Sequence, residues 1–234
     1  MFMCEFLTKE KMTLKRFLDT VIPPFTRIPL IAAFLVNLFA YYGTKLLTLN
    51  ATHHDLTLGL DSIIPFIPFF VSFYVLAYGQ WAFSYLFHTR QSEKTCYYLM
   101  SAIIYAKLIS SLFFIFFPTQ TVLPTVNDDS FWGSLTKLIY SVDTPRTLFP
   151  SLHCLESWFC FRGAMHVKNA PKWYIVAQGI FALLVFGSTV HIKQHFFVDI
   201  FAGIAVAELG LFLAKKKDFS ALFQKAYSYF TKTT

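Results

Sequence analysis

His195 and Asp199 stand four residues apart, a spacing that puts both side chains on one face of a helix. A carboxylate placed there can hold one imidazole nitrogen and leave the other as a nucleophile. A second histidine, His153, lies about forty residues earlier in the chain and could protonate a leaving oxygen. Ser151 can donate a hydrogen bond to a bound anion. Pro150 and Ser151 also read as the start of a helix, where unpaired backbone N–H groups favour a phosphate. Lys193 supplies positive charge between the histidines, and Arg146 supplies it if its loop folds back. Ser188 and His191 complete the second cluster. This set suits phosphoryl transfer through a histidine. Two other readings use the same residues: an interfacial His–Asp pair with a structural role, and a metal site built from His153, His191, His195 and Asp199. The charge of Lys193 opposes the metal reading.

These groups must be positioned by a chain that is 56% hydrophobic and only 14% charged, with 29 Phe and 12 Tyr among 234 residues. An ordinary soluble domain is about 25% charged. The composition excludes disorder, a basic nucleic-acid arm and a small disulfide scaffold. It predicts an all-α, polytopic membrane bundle. About six stretches approach the roughly 20 apolar residues that a membrane helix needs. They run over about 29–46, 63–86, 95–117, 151–161, 173–190 and 196–214. The second begins with Pro65 and Pro68, which kink its entry or form a short turn. The fourth is short and extends toward Val167.

Charge orients this array. With the N-terminus inside, segments 1–27, 88–94, 162–172 and 215–234 carry five, two, three and five basic residues, 15 of the chain's 20. Both termini are therefore expected in the cytoplasm. Residues 1–27 read as an amphipathic lead-in, 28–214 as the membrane domain, and 215–234 as a basic tail. Lys215, Lys216 and Lys217 would meet anionic lipids. The outward segments are then about 47–62, 118–150 and 191–195, so Ser151, His153, His195 and Asp199 gather on one side, on loops 118–153 and 188–199. Cys4, Cys96, Cys154 and Cys160 form no CxxC pair and read as free thiols.

Two stretches resemble motifs of the type 2 phosphatidic acid phosphatase superfamily, the histidine-nucleophile phosphatases of lipid phosphates. Pro150-Ser151-Leu152-His153 is similar to that family's Pro-Ser-Gly-His, with Leu in place of Gly. Ser188-Thr189, five residues, His195, three residues and Asp199 resembles its third motif, with Thr189 in place of Arg. Of the first motif a remnant spans Phe116 to Pro124, with Phe116 and Leu123 where Lys and Arg would stand. The resemblance implies that His195 attacks phosphorus, Asp199 orients it, and His153 protonates the departing alkoxide. Ser151 and the N–H groups of Leu152 and His153 would hold phosphate oxygens. It implies a lipid phosphate as substrate, no metal or other cofactor, and a site on the outer side of a bacterial plasma membrane. Transfer to a lipid hydroxyl, and a non-catalytic lipid-binding or transport role, stay open beside hydrolysis. The cradle's missing cations would be replaced by Lys193, then Arg146, then Lys107.

Overall fold

The computed structural model describes residues 16–232 and contains no strand among them, only helices, turns and two isolated bridges. Helix α1 runs over Pro24–Leu47, starting with Pro at its first position, where the missing N–H costs nothing. It includes a π-helical turn at Phe39–Gly43. A short helix, α2, follows at Gly59–Ile63, and α3 spans Val71–Thr89. The rest of the framework is α4 (Glu93–Phe116), α5 (Phe131–Val142), α6 (Leu152–Ala164), α7 (Lys172–His191), α8 (Phe197–Lys216) and α9 (Ser220–Lys232).

Helix α4 is the centre of the bundle, buried on several faces and starting at Ser92, whose hydroxyl caps the Thr95 N–H. Helices α1 and α8 pack on it. Helix α6 packs on α3, α7 and α8. Two glycines set the α8 contacts. A Cβ at Gly210 would lie 2.4 Å from the Ala102 carbonyl oxygen of α4, and one at Gly203 would lie 2.7 Å from that of Ser151. Only a residue without a side chain lets α8 approach both backbones so closely. The second approach draws the start of α8 against the start of α6.

Large apolar side chains cover the outside: Phe34, Phe83, Leu112, Leu183, Phe201 and Phe212 are all exposed. A soluble monomer would not leave so much apolar surface in water. Helices α1, α4, α7 and α8 are each long and apolar enough to cross a bilayer.

Several sequence expectations shift. The second apolar stretch does not become one helix from residue 63. Pro65 and Pro68 lack N–H groups and hold Ile64 and Ile67 extended, so the helix restarts at Val71 after a 3₁₀ turn at Pro68–Phe70. The fourth stretch forms a 13-residue helix, α6, about 20 Å long and too short to span alone. The long segment 118–150 contains a helix, α5, capped by Ser130, and the basic tail contains α9. Residues 16–21 of the amphipathic lead-in are helical, and residues 1–15 lie outside the described residues. Cys96, Cys154 and Cys160 are free and buried, and Cys4 also lies outside them.

The basic helix ends share one end of the bundle. There His88 meets Tyr174, Tyr98 lies tilted against His166, and Tyr105 donates to the Lys217 carbonyl. The histidine clusters occupy the other end.

Candidate functional site

The turn between α7 and α8 delivers His195. Thr189 ends α7 with its carbonyl, which accepts the N–H groups of both Gln194 and His195, at 3.0 and 3.1 Å. The turn passes through Lys193 at φ 56°, a left-handed conformation uncommon for a side-chain-bearing residue. His195 therefore precedes α8 rather than sharing a helical face with Asp199. Asp199 reaches back from the first turn of α8. Its Oδ2 lies 3.0 Å from His195 Nδ1 and also accepts the Phe196 N–H at 3.1 Å. With Nδ1–H given to the carboxylate, Nε2 of His195 carries the free lone pair. Asp199 is fully buried, whereas the His195 side chain keeps 9% exposure toward the cavity it lines.

Facing His195 is the start of α6. Ser151 caps that helix, accepting the Cys154 N–H at 3.3 Å, and its own N–H donates to the Asp199 carbonyl at 3.3 Å. That backbone bond ties the two motifs together. The first-turn N–H groups of Leu152 and His153 have no helical acceptor. The rings of His153 and His195 are 6.1 Å apart, centre to centre. His153 stacks on Tyr74 at 3.9 Å and is flanked by Tyr78 and Trp81. Its Nε2 is buried without a hydrogen-bond partner. Such an orphaned polar atom in a packed site is uncommon and suits a group that waits for a ligand.

Between the histidines lies a cavity of about 360 Å³, within the usual range for small-molecule sites. Three basic residues line it: Lys45, Lys107 and Arg146. Lys45 comes from the end of α1. It donates to Asp143 Oδ1 at 3.2 Å and to the Thr144 carbonyl at 3.1 Å. Asp143 also accepts from Tyr41, which stands on the π-helical turn of α1, and from Tyr74 at 2.7 Å. Burial alone would raise the Asp143 carboxyl. Lys45 foremost, with Tyr41, His153 and Tyr74, outweighs it and holds the group below the ordinary carboxylate range.

Lys107 is buried in α4, 2.6 Å from Glu156 Oε1. That contact is a charge pair without hydrogen-bond alignment, so the Lys107 ammonium keeps donors to spare. Tyr85 donates to the other Glu156 oxygen. Glu208, on α8, pairs with Arg162 at 2.8 Å.

Two sequence expectations are corrected. The Lys193 ammonium does not line the cavity. It donates to the backbone carbonyls of Asp61, at 2.7 Å, and Ile64, because the left-handed turn aims it at α2. Ser188 is fully buried and donates to the Val185 carbonyl one turn back in α7, at 2.7 Å. Ser151 too is fully buried, so that Leu152 and His153 form the wall beside it. His191 is drawn off to the Pro65 carbonyl at 2.9 Å and stacks on Phe70.

Sequence reasoning missed Lys45, Asp143, Tyr41 and Tyr74. One signal could have found Lys45. Only five basic residues lie outside the four inner segments: Lys45, Lys107, Lys137, Arg146 and Lys193. A phosphate site outside those segments would draw on those five.

No curated protein and no solved structure matches the chain. A family model described as the PAP2 superfamily matches residues 53–213, a stretch that runs from the α1–α2 connection to the last turn of α8 and contains both histidines and Asp199. With more than half of its length matched, and with its helices arranged as an apolar bundle, the chain belongs to the PAP2 superfamily and is a membrane protein of the phosphatase type.

Proposed function

We propose that the protein is a lipid-phosphate phosphatase. It hydrolyses a phosphomonoester or diphosphate of a lipid at the outer face of a plasma membrane, through a phosphohistidine. The observation that carries this reading is the His195–Asp199 pair, 3.0 Å apart, opposite His153 across one cavity with three cations in its wall. In the first step His195 Nε2 bonds to phosphorus. The P–O bond to the lipid breaks, and its electron pair leaves on the alkoxide oxygen. His153, protonated, gives that oxygen its proton. Asp199 balances the charge gained by His195. In the second step neutral His153 takes a proton from water, which attacks phosphorus and releases His195. Nonbridging oxygens need fixed positive charge and N–H donors throughout. Lys45, Lys107, Arg146 and the N–H groups of Leu152 and His153 are the groups near enough to supply them. Anionic lipids would meet Lys215, Lys216 and Lys217 at the opposite end.

Inorganic phosphate release from lipid phosphates in vesicles tests the reading, with wild type compared to His195→Ala. Release by wild type and its loss in the variant is the expected result. Acid-labile label on wild type, absent from the variant, supports the phosphohistidine. Equal release from both proteins refutes the assignment.

A further inference from the structure

A second cavity, of about 920 Å³, lies directly beneath the first, between α1, α3 and α4. Its walls are mostly apolar and include Ile31, Phe34, Ala82, Leu86, Met100 and Ile103. The two cavities share Asn37, Trp81, Lys107 and Glu156. Those four residues form the seam. Above it the lining turns polar, toward Asp143, His153 and His195. Below it α1 contributes lining residues down to Arg27, ten residues or about 15 Å along the helix from Asn37. Arg27 pairs with Asp19 at this far end. Ile31 and Phe34 line the chamber and are also 58% and 60% exposed, so the chamber reaches the outer, lipid-covered surface of the bundle between its helices.

We propose that this chamber holds the alkyl tail of the phosphate ester whose head group reacts above, and that its depth selects substrates by chain length. The proposal rests on the phosphatase reading and names the tail as the occupant for one reason. The chamber adjoins the reaction cavity across the four wall residues they share, and a molecule polar at one end and apolar at the other matches the change in lining across that seam. A tail leaving bilayer for chamber exchanges one apolar surrounding for another. Selection therefore comes from fit: a tail that the chamber cannot admit keeps its phosphate out of reach of His195.

Ala82 and Leu86 lie one turn apart on the chamber wall of α3, Ala82 nearer the seam, and neither lines the reaction cavity. Ala82→Trp blocks the chamber near its top and Leu86→Trp further down. The test measures kcat/KM for butyl, decyl and hexadecyl phosphates with the three proteins in nanodiscs. Partition into the disc is common to all three and cancels. Wild type is expected to prefer decyl and hexadecyl over butyl phosphate by at least about tenfold, because only a tail that fills the chamber fixes its phosphate against His195. Ala82→Trp is expected to lose that preference, and Leu86→Trp to lose it for hexadecyl alone. Butyl phosphate turnover should be unchanged, which also shows the variants to be folded. The same chain-length profile in all three overturns the proposal. If no protein releases phosphate, the phosphatase reading fails by itself, and binding of decylphosphonate then decides on the chamber. Binding weakened at least tenfold by Ala82→Trp supports the tail site, and equal binding overturns it.

Discussion

Removing the Lys107 ammonium separates structural from functional charge at the seam. The pair with Glu156 is close, 2.6 Å, and both groups are buried. At an effective dielectric of about 20 the attraction is about 6 kcal/mol. Withdrawing two ions from water costs several kcal/mol each. The two effects nearly cancel, so the intact pair contributes little net stability. Breaking it from one side leaves a buried charge alone, at about 3–5 kcal/mol. Lys107→Met and Glu156→Gln should each destabilise by that amount, lowering the unfolding midpoint in detergent by about 6–20 °C. The double variant should return to within about 1 kcal/mol of wild type, because no charge is stranded and the introduced amide can still accept from Tyr85. Turnover then gives the second reading. If the spare donors of Lys107 serve the phosphate, the folded double variant should lose about 10–150-fold in kcat/KM, the worth of one hydrogen bond to a charged group. Single variants as stable as wild type would refute the charge balance. A stable double variant with wild-type turnover would make Lys107 purely structural.

Asp199→Asn replaces the acceptor at 3.0 Å with a group that no longer favours Nδ1–H on His195, and should lower kcat by about 10–150-fold with little change in KM, measured by phosphate release. Lys193→Met should leave turnover nearly intact but loosen α2 by about 1–3 kcal/mol, since two backbone carbonyls lose their donor; hydrogen exchange over residues 59–64 reads this, and a collapse of turnover instead would return Lys193 to the site. Asp143→Asn removes a carboxylate held below its ordinary range by Lys45 and two tyrosines, and should cost about 1.5–3 kcal/mol at pH 7. A depressed carboxylate stabilises the fold above the ordinary value, 3.8, and loses that contribution as pH falls through its lowered value. Unfolding midpoints of wild type and variant should therefore converge below about pH 4.

The parts of the site that were legible in the sequence are those written in local spacing. Pro150 to His153 starts a helix, and Thr189 to Asp199 is one helix end, one turn and one helix start, so residue types and intervals sufficed. The parts that were not legible depend on contacts across the chain. Lys45 meets Asp143 over 98 residues, and nothing near either announces the other. Helix α5 was hidden because its neighbours, Pro124, Asp128 and Asp129, carry the composition of a loop. Lys193 looked like a phosphate ligand because it stands between two histidines, but a left-handed backbone at that residue turned its side chain toward α2.

The same geometry explains why the cations come from elsewhere. At the position where the resembled motif has Arg, Thr189 is fully buried. Its hydroxyl donates to the Phe186 carbonyl at 2.8 Å and lies 3.8 Å from Cys154 Sγ. A larger side chain there would press on the start of α6, which Gly203 holds against α8. Lys45 and Arg146 approach from the opposite wall instead, one on α1 and one on the strap after α5 whose backbone pairs with Gln120. Asp143 accepts from Lys45 and keeps that ammonium ordered beside the cavity. The proposed nucleophile, orienting carboxylate and acid thus stand at the motif positions, while the positive charge in the cavity wall comes from α1, α4 and the strap outside them. Restoring Arg at position 189 in this background should consequently destabilise the fold by overpacking, about 1–3 kcal/mol, without raising turnover. Unfolding in detergent and phosphate release measure the two effects, and a stable variant with faster release would show that α7 still has room for the missing cation.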